Sequence, residues 1–340
     1  MTKRAVLLVN LGSPDKPEIK QVKKYLEQFL MDPYVIQLPW LLRRLIVSVF
    51  VLPTRPKAST HAYQSIWTEQ GSPLITLSDG LIKALQSKVR LPVAMAMRYG
   101  NPSIKNKLLQ LVNKQGVTEI KLLPMYPHYA ESTVSTSVEE AKRVIKKYKL
   151  NVTLSVVKPF YQDKAYINAL VESAQAYLQQ PYDHLVFSYH GLPEFHITKL
   201  DKSKKHCLKN KACCDTPHEA HKTCYRHQVF QTTQLFAKQA GLSTDKYSVA
   251  FQSRLGRAKW LGPNTEDRLR ELAQNGAKKV LVICPAFVTD CLETLEEIEM
   301  RGLEVFQQAG GESLTLIPCL NDNPSWVKVL ASWCQKQNSH

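Results

Sequence analysis

Three groups of side chains in this chain have the types and spacing to do chemistry. His190 closes a strand-like run, His184 to Tyr189, and Gly191 and Pro193 break the chain directly after it. An imidazole at the carboxyl end of a buried strand sits where open α/β sheets place their ligand crevices. Near neutral pH it can bind a metal or move a proton; the plainer reading is a histidine bonded to a backbone carbonyl. Glu293 and Glu297 stand four apart in a helical stretch that follows another strand, so they share one helix face. Such a pair is commonly no more than a solvated face. One imidazole and one or two carboxylates opening on the same crevice would suit a divalent first-row metal such as ferrous iron. The third group is Cys207, Cys213, Cys214 and Cys224, four of the eight cysteines within 18 residues. Their spacing, Cys-x5-Cys-Cys-x9-Cys, is not that of a zinc ribbon. Four thiolates in one loop can ligate a [2Fe–2S] cluster, with zinc and free thiols as the alternatives.

The elements that must position these groups alternate between short apolar, β-branched runs and longer amphipathic stretches. Strands are expected over 5–10, 93–97, 119–123 and 152–157, and again over 184–189, 247–252, 279–284 and 314–317. Helices are expected over 73–89, 103–114, 134–148, 163–178, 264–275 and 293–308, the last capped by Thr289 or Asp290. This is the βαβ pattern of parallel sheets covered by helices on both faces. The expected fold class is α/β, with two similar doubly wound domains, each holding a four-stranded parallel sheet. The domains are placed at 1–158 and 159–340, with a cysteine-rich insertion at 196–227 and a C-terminal helix that packs back on the first domain. Gly and Pro turns follow several strands, but none forms a G-x-G-x-x-G or P-loop, which disfavours a nucleotide enzyme.

The formal net charge of +16 favours anionic ligands. No nucleic-acid motif or sustained arginine stripe accompanies it, and no nucleic-acid partner is expected. No apolar stretch reaches the roughly 18–20 residues of a membrane span, and the start of the chain lacks a signal-peptide cleavage site. The expected location is the cytoplasm, where a tight cysteine cluster points to metal rather than disulfides. Residues 38–52 depart from the general pattern, being strongly apolar with Arg43 and Arg44 inside. They read equally as a buried helix or as either a lip over an apolar ligand or a contact with the inner membrane face, with arginines toward headgroups.

Five separated segments resemble the ferrochelatases, which insert ferrous iron into a porphyrin: Leu8 to Pro14, Ser188 to Pro193, Gln252-Ser253-Arg254, Trp260 to Pro263 and Asp290 to Leu295. The resemblance runs from Val6 to about Val329 and implies the family's chelatase-like fold of two doubly wound domains. It implies that His190 and Glu293 are catalytic, and that His190, Glu293 and Glu297 handle the metal. It places Leu11, Arg98, Tyr99, Tyr126, Ser132 and Trp260 on the porphyrin. A bacterial subset is similar in carrying an internal [2Fe–2S] cluster, implying Cys207, Cys213, Cys214 and Cys224 as its ligands. The implied activity is a lyase-type insertion of Fe²⁺, the substrate metal, into protoporphyrin IX. Coproporphyrin III, a cobalt or nickel tetrapyrrole chelatase, and a non-catalytic carrier are the rivals. In the expected mechanism His190 accepts a pyrrole proton while Glu293, accepting a hydrogen bond from the imidazole, holds its tautomer, or the two residues deliver the iron. The chain departs from the family at Arg301, where many relatives carry a third acid, and at Gln64 and Ser65, where some carry arginines. Propionate contacts are then expected from Arg43 or Arg44.

Overall fold

A computed structural model describes residues 3–254, 256 and 258–335. The chain divides into two compact units. One comprises the chain up to Tyr126, Glu131–Pro159 and the segment from Asn321 onward; the other comprises Pro127–Ala130 and Phe160–Leu320.

The first unit is built on strands β1 (Arg4–Asn10), β2 (Val93–Met97), β3 (Glu119–Pro124) and β4 (Thr153–Val156), all parallel in the order β2-β1-β3-β4. β1 is buried from Ala5 through Asn10, as expected of a central parallel strand covered on both faces. Its helices are α1 (Ile19–Leu30), α2 (Trp40–Leu45), α3 (Arg55–Ile66), α4 (Pro73–Gln86), α5 (Ile104–Leu109), α6 (Thr136–Lys147) and, from the end of the chain, Pro324–Gln335. π-Helical turns extend α2 and α5 and precede α6, over Ile46–Val51, Gln110–Lys114 and Glu131–Ser135. Leu7, Val9, Leu108, Ile120, Leu122 and Val144 form one core cluster. The Pro324–Gln335 helix lies against α4, and Lys121 Nζ donates to the Trp333 carbonyl at 3.0 Å.

The second unit repeats the plan with β5 (His184–His190), β6 (Tyr247–Gln252), β7 (Lys279–Ile283) and β8 (Ser313–Ile317), parallel in the order β6-β5-β7-β8. Its helices are α7 (Lys164–Leu178), α8 (Glu194–Thr198), α9 (Tyr225–Ala240), α10 (Thr265–Gln274), α11 (Leu292–Thr294) and α12 (Arg301–Gln308). A π turn over Leu295–Met300 joins the last two. Val186, Ala250, Leu269, Val282, Ile298 and Phe306 lead its core. In both sheets the connections leave the first strand in one direction and then return to its other side. The switch points therefore lie between β1 and β3 and between β5 and β7, where such sheets open a crevice at the carboxyl ends.

The eight expected strands are present, each end displaced by one residue at most. The sequence reading names no helix over Ile19–Leu30, Arg55–Ile66 or Tyr225–Ala240, and all three form. The helix expected from Pro73 ends at Gln86, where Ser87 caps it through Leu85 and Lys83.

Residues 38–52 are not a buried helix. Trp40, Leu41, Leu45, Val49 and Phe50 are all more than half exposed, with Leu41 at 76%. Arg43 nevertheless does not face outward: it is 6% exposed, and its Nη1 donates to the carbonyls of Leu38 and Ile36 at 2.8 and 3.2 Å. It folds back to satisfy the loop before α2, while Arg44 pairs with Glu27. This corrects the expectation of arginines toward headgroups and leaves Arg43 committed away from any propionate. No described helix is long and apolar enough to cross a membrane.

Candidate active site

The second unit brings His190, Glu293, Glu297 and Trp260 into one neighbourhood around the switch point between β5 and β7. His190 is the last residue of β5, in register with Gln252 at the end of β6. Its Nδ1 lies 2.6 Å from the carbonyl oxygen of Gly191. A carbonyl only accepts, so Nδ1 carries the proton and Nε2 presents its lone pair. The plainer sequence reading and the chemical one thus hold together: the bond to a backbone carbonyl leaves the imidazole a base or a ligand at the other nitrogen. It also corrects the expectation that Glu293 sets the tautomer, because the Gly191 carbonyl occupies Nδ1.

Gly191 is required by contact. A Cβ there would stand 2.8 Å from the Gln252 carbonyl oxygen and 3.3 Å from Trp260 Cε3. The Trp260 segment docks on this turn through a bridge to Pro193 and through Leu261 N–H to the Leu192 carbonyl at 2.9 Å. Phe287, after β7, comes within 6.4 Å of the His190 ring centre to centre.

Glu293 lies in α11. The cap of that helix is Cys291, not Thr289 or Asp290: Thr294 Oγ1 accepts from the Cys291 N–H at 3.0 Å. Asp290 instead accepts from Thr294 Oγ1 at 2.9 Å and from the Cys319 N–H. It is drawn inward because two chain segments direct donors at it. Burial, reinforced by nearby carboxylates, pushes the Cys284 and Cys291 thiols well above their ordinary range, so both stay neutral beside the site.

Glu297 lies on the π turn with a side chain 13% exposed. Its carboxylate accepts from Ser253 N–H at 2.8 Å and from Ser253 Oγ, and pairs with Arg301 at 3.2 Å. Arg301 also reaches Glu266 of α10 at 3.4 Å. The cation at position 301 therefore lies between two acids, Glu297 and Glu266. Gln252, whose role the sequence does not reveal, joins the parts: its Nε2 donates to the Glu293 carbonyl at 2.6 Å, and its Oε1 accepts from Ser188 Oγ at 2.7 Å.

In the insertion, Cys207, Cys213, Cys214 and Cys224 are all buried. Their thiols touch in sequence, Cys207 with Cys224, Cys224 with Cys214 and Cys214 with Cys213. Arg226 Nη1 donates to the sulfurs of Cys214 and Cys213 at 3.2 and 3.5 Å, and Leu208 N–H to Cys213 at 3.4 Å. The bond between Cys207 and Cys224 holds the Cys207 thiol down and pushes that of Cys224 up to about 12. Beside them His206 stacks on His218 at 3.9 Å and His221 on His227 at 3.7 Å. Among the described residues no group of three or more His, Cys, Asp or Glu is arranged to hold a single metal ion.

In the first unit, Leu11 follows the end of β1, and Arg98 and Tyr99 follow the end of β2. Backbone bonds from Arg98 N–H to Asn10 O and from Tyr99 N–H to Leu11 O, both 2.8 Å, zip these ends together. The two side chains turn to Asp32. Arg98 pairs with its carboxylate, Tyr99 donates to it at 2.9 Å, and Thr136 donates at 2.5 Å. Tyr99 has no exposed surface, which differs from the expected place on a ligand wall. Tyr126 is buried too, and burial raises its phenol well above the ordinary value. Leu11 and Ser132 are partly exposed.

The family model for ferrochelatase matches residues 3–338. The ferrochelatase of Pseudomonas fluorescens (strain Pf0-1) is 56% identical over 99% of this chain and 98% of its own. That of Ectopseudomonas mendocina (strain ymp) is 55% identical over the same shares. Among solved structures, SirB from Bacillus subtilis with Fe³⁺ superposes with a TM-score of 0.54 at 15% identity, covering 97% of this chain and 94% of its own, a likeness of fold. The chain belongs to the ferrochelatase family.

Proposed function

We propose that this chain inserts Fe²⁺ into protoporphyrin IX to give protohaem, releasing the two pyrrole protons. The observation that carries the reading is the His190 imidazole, whose Nδ1 is engaged by the Gly191 carbonyl while Nε2 keeps its lone pair. Nε2 accepts a pyrrole proton as the metal enters, the part of a general base positioned at the reacting nitrogen. Glu293 and Glu297 supply the negative charge that favours Fe²⁺ and balances the imidazolium. Trp260, Leu11, Tyr126 and Ser132 grip the macrocycle. Tyr99 supports that wall from behind through Asp32 with Arg98. Distortion of a flat porphyrin exposes the nitrogen lone pairs, with the strain drawn from such remote contacts. His190→Ala should lower kcat by about 10²–10⁴-fold, the range for loss of a positioned proton acceptor; near-normal insertion in that variant ends the reading. An anaerobic assay with both porphyrins decides the substrate, and faster turnover of coproporphyrin III would replace protoporphyrin. The exposed apolar side chains of 38–52 favour the less polar porphyrin and a peripheral contact with the cytoplasmic face of the membrane.

The four buried cysteines are proposed as ligands of a [2Fe–2S] cluster. They fit it: a two-iron cluster takes two thiolates per iron, so the four need not close on one ion. The Arg226 and Leu208 donors suit sulfurs carrying negative charge. When bound, such a cluster supplies a redox- and iron-responsive structural cross-link. Freshly purified, haem-free protein should show visible absorption bands, whereas a colourless protein with one equivalent of zinc would refute the assignment.

A further inference from the structure

We propose that Tyr225 is a positioning residue for His190, and that it carries the state of the cysteine insertion to the active site. Tyr225 opens α9 directly after Cys224, which is the cap of that helix. Its side chain is buried, and its hydroxyl donates to the carbonyl oxygen of His190 at 2.9 Å. The N–H of the same peptide unit, on Gly191, donates to the Gln252 carbonyl at 2.7 Å. The His190–Gly191 peptide is thus held at both ends, by β6 on one side and by α9 on the other. Any tilt of it moves the Gly191 carbonyl, and that carbonyl holds Nδ1 of the catalytic imidazole.

The first turn of α9 is also fastened to the insertion. Arg226 donates to the sulfurs of Cys213 and Cys214. Gln228 Nε2 donates to the Lys222 carbonyl at 3.0 Å, and Gln228 Oε1 accepts from Tyr129 N–H at 2.7 Å. The Tyr225 ring packs edge-on against His128, which packs edge-on against Tyr189. Three consecutive residues, Cys224, Tyr225 and Arg226, therefore touch the thiol group and the His190 peptide together. Filling or emptying the four-thiol site shifts the first turn of α9 and with it the orientation of His190.

The coupling rests on the reading of the four cysteines as cluster ligands and of His190 as the proton acceptor. Tyr225→Phe tests it, since the ring packing is kept and only the hydroxyl is lost. In the whole protein it should lower kcat about five-fold, the effect of one hydrogen bond, with the porphyrin KM within about two-fold. The visible bands should be unchanged. Removing the iron with a chelator should lower kcat of the wild type and move the ring ¹⁵N resonances of His190, assigned by their loss in His190→Ala. In Tyr225→Phe the same treatment should do neither. Wild-type kcat in Tyr225→Phe, or an equal response of both proteins to iron removal, overturns the proposal. A colourless, iron-free wild type overturns the coupling through the cluster reading. Undiminished turnover in His190→Ala overturns it through His190, so the failures are told apart.

Discussion

Replacing Gln252 by leucine should disable the site although none of its named acids or its base is substituted. Gln252 is 1% exposed, and its amide makes the only direct link between the Glu293 backbone and the β5–β6 pair that ends in His190 among the described hydrogen bonds. Leucine has nearly the same volume, so little cavity forms and the loss is polar. Its two short bonds, to Glu293 and Ser188, go, each worth about 1 kcal/mol net, and the Glu293 carbonyl loses this donor in a buried setting, which adds about 1 kcal/mol; the longer contacts to Glu297 and Cys284 add little. Ser188 keeps Thr265 as a partner at 2.8 Å and adds little. The expected loss of stability is about 3 kcal/mol, measured by urea unfolding. The expected loss of activity is larger in proportion, because release of α11 displaces Glu293, and a misplacement of about 1 Å costs on the order of 10²-fold. Haem formation followed by absorbance gives kcat and KM. A folded Gln252→Leu protein with kcat within about two-fold of wild type would refute the view that Gln252 sets the geometry of the site.

Three other perturbations report on the surrounding frame. Burial lowers His128 to about 3, so the unfolded chain takes up a proton below about pH 6.5 that the native one refuses; stability should fall by about 2 kcal/mol between pH 7 and pH 5. Urea titrations at the two pH values should show a smaller difference in His128→Asn, and an equal difference refutes the assignment. Asp32→Ala removes the acceptor shared by Arg98, Tyr99 and Thr136 and should cost about 3–5 kcal/mol, as when one member of a buried pair is deleted; a loss under about 1 kcal/mol in urea unfolding would speak against the network. Gly12 has φ +112°, and a Cβ on it would lie 1.8 Å from the Tyr99 carbonyl oxygen. Gly12→Ala should therefore destabilise by at least about 2 kcal/mol, and an unchanged melting temperature would contradict the close approach of the two strand ends.

What was legible in the sequence divides along physical lines. Strands buried on both faces appear as continuous apolar runs, and β2 and β6 have the expected bounds because turn residues punctuate them. Helix α1 is hidden in a lysine-rich segment although Val22, Tyr25, Leu26 and Leu30 face inward at helical spacing. Helix α9 is masked by the cysteines and histidines that precede it. The π turns leave no mark, since one extra residue per turn barely alters an apolar pattern. His190, at a strand end, and Glu293 and Glu297, one turn apart on the helical stretch after the next strand, can be picked out as candidates from residue type and position. Gln252, Asp32 and Tyr225 are not, because a glutamine, an aspartate or a tyrosine acquires its role from partners 35 to 104 residues away that no local spacing shows.

The two acids of the site are restrained differently, and the difference follows from where the helix changes its winding. Glu293, on the first turn, has its backbone held by Gln252, while the thiol of Cys291 lies beside its carboxylate. Glu297, on the π turn, has both oxygens occupied by Ser253 and Arg301. A carboxylate with both oxygens engaged must break hydrogen bonds to move onto an ion or accept a proton, each costing about 1 kcal/mol or more. One with a fixed backbone and a lightly engaged head can swing at the price of a rotamer. Under the proposed function, this difference assigns the metal-handling step to Glu293 and leaves Glu297 as a stationary charge. Arg301 moderates that charge by reaching on to Glu266, so the line of acids from the site toward the outer end of α12 is broken by a cation instead of continued by a third acid.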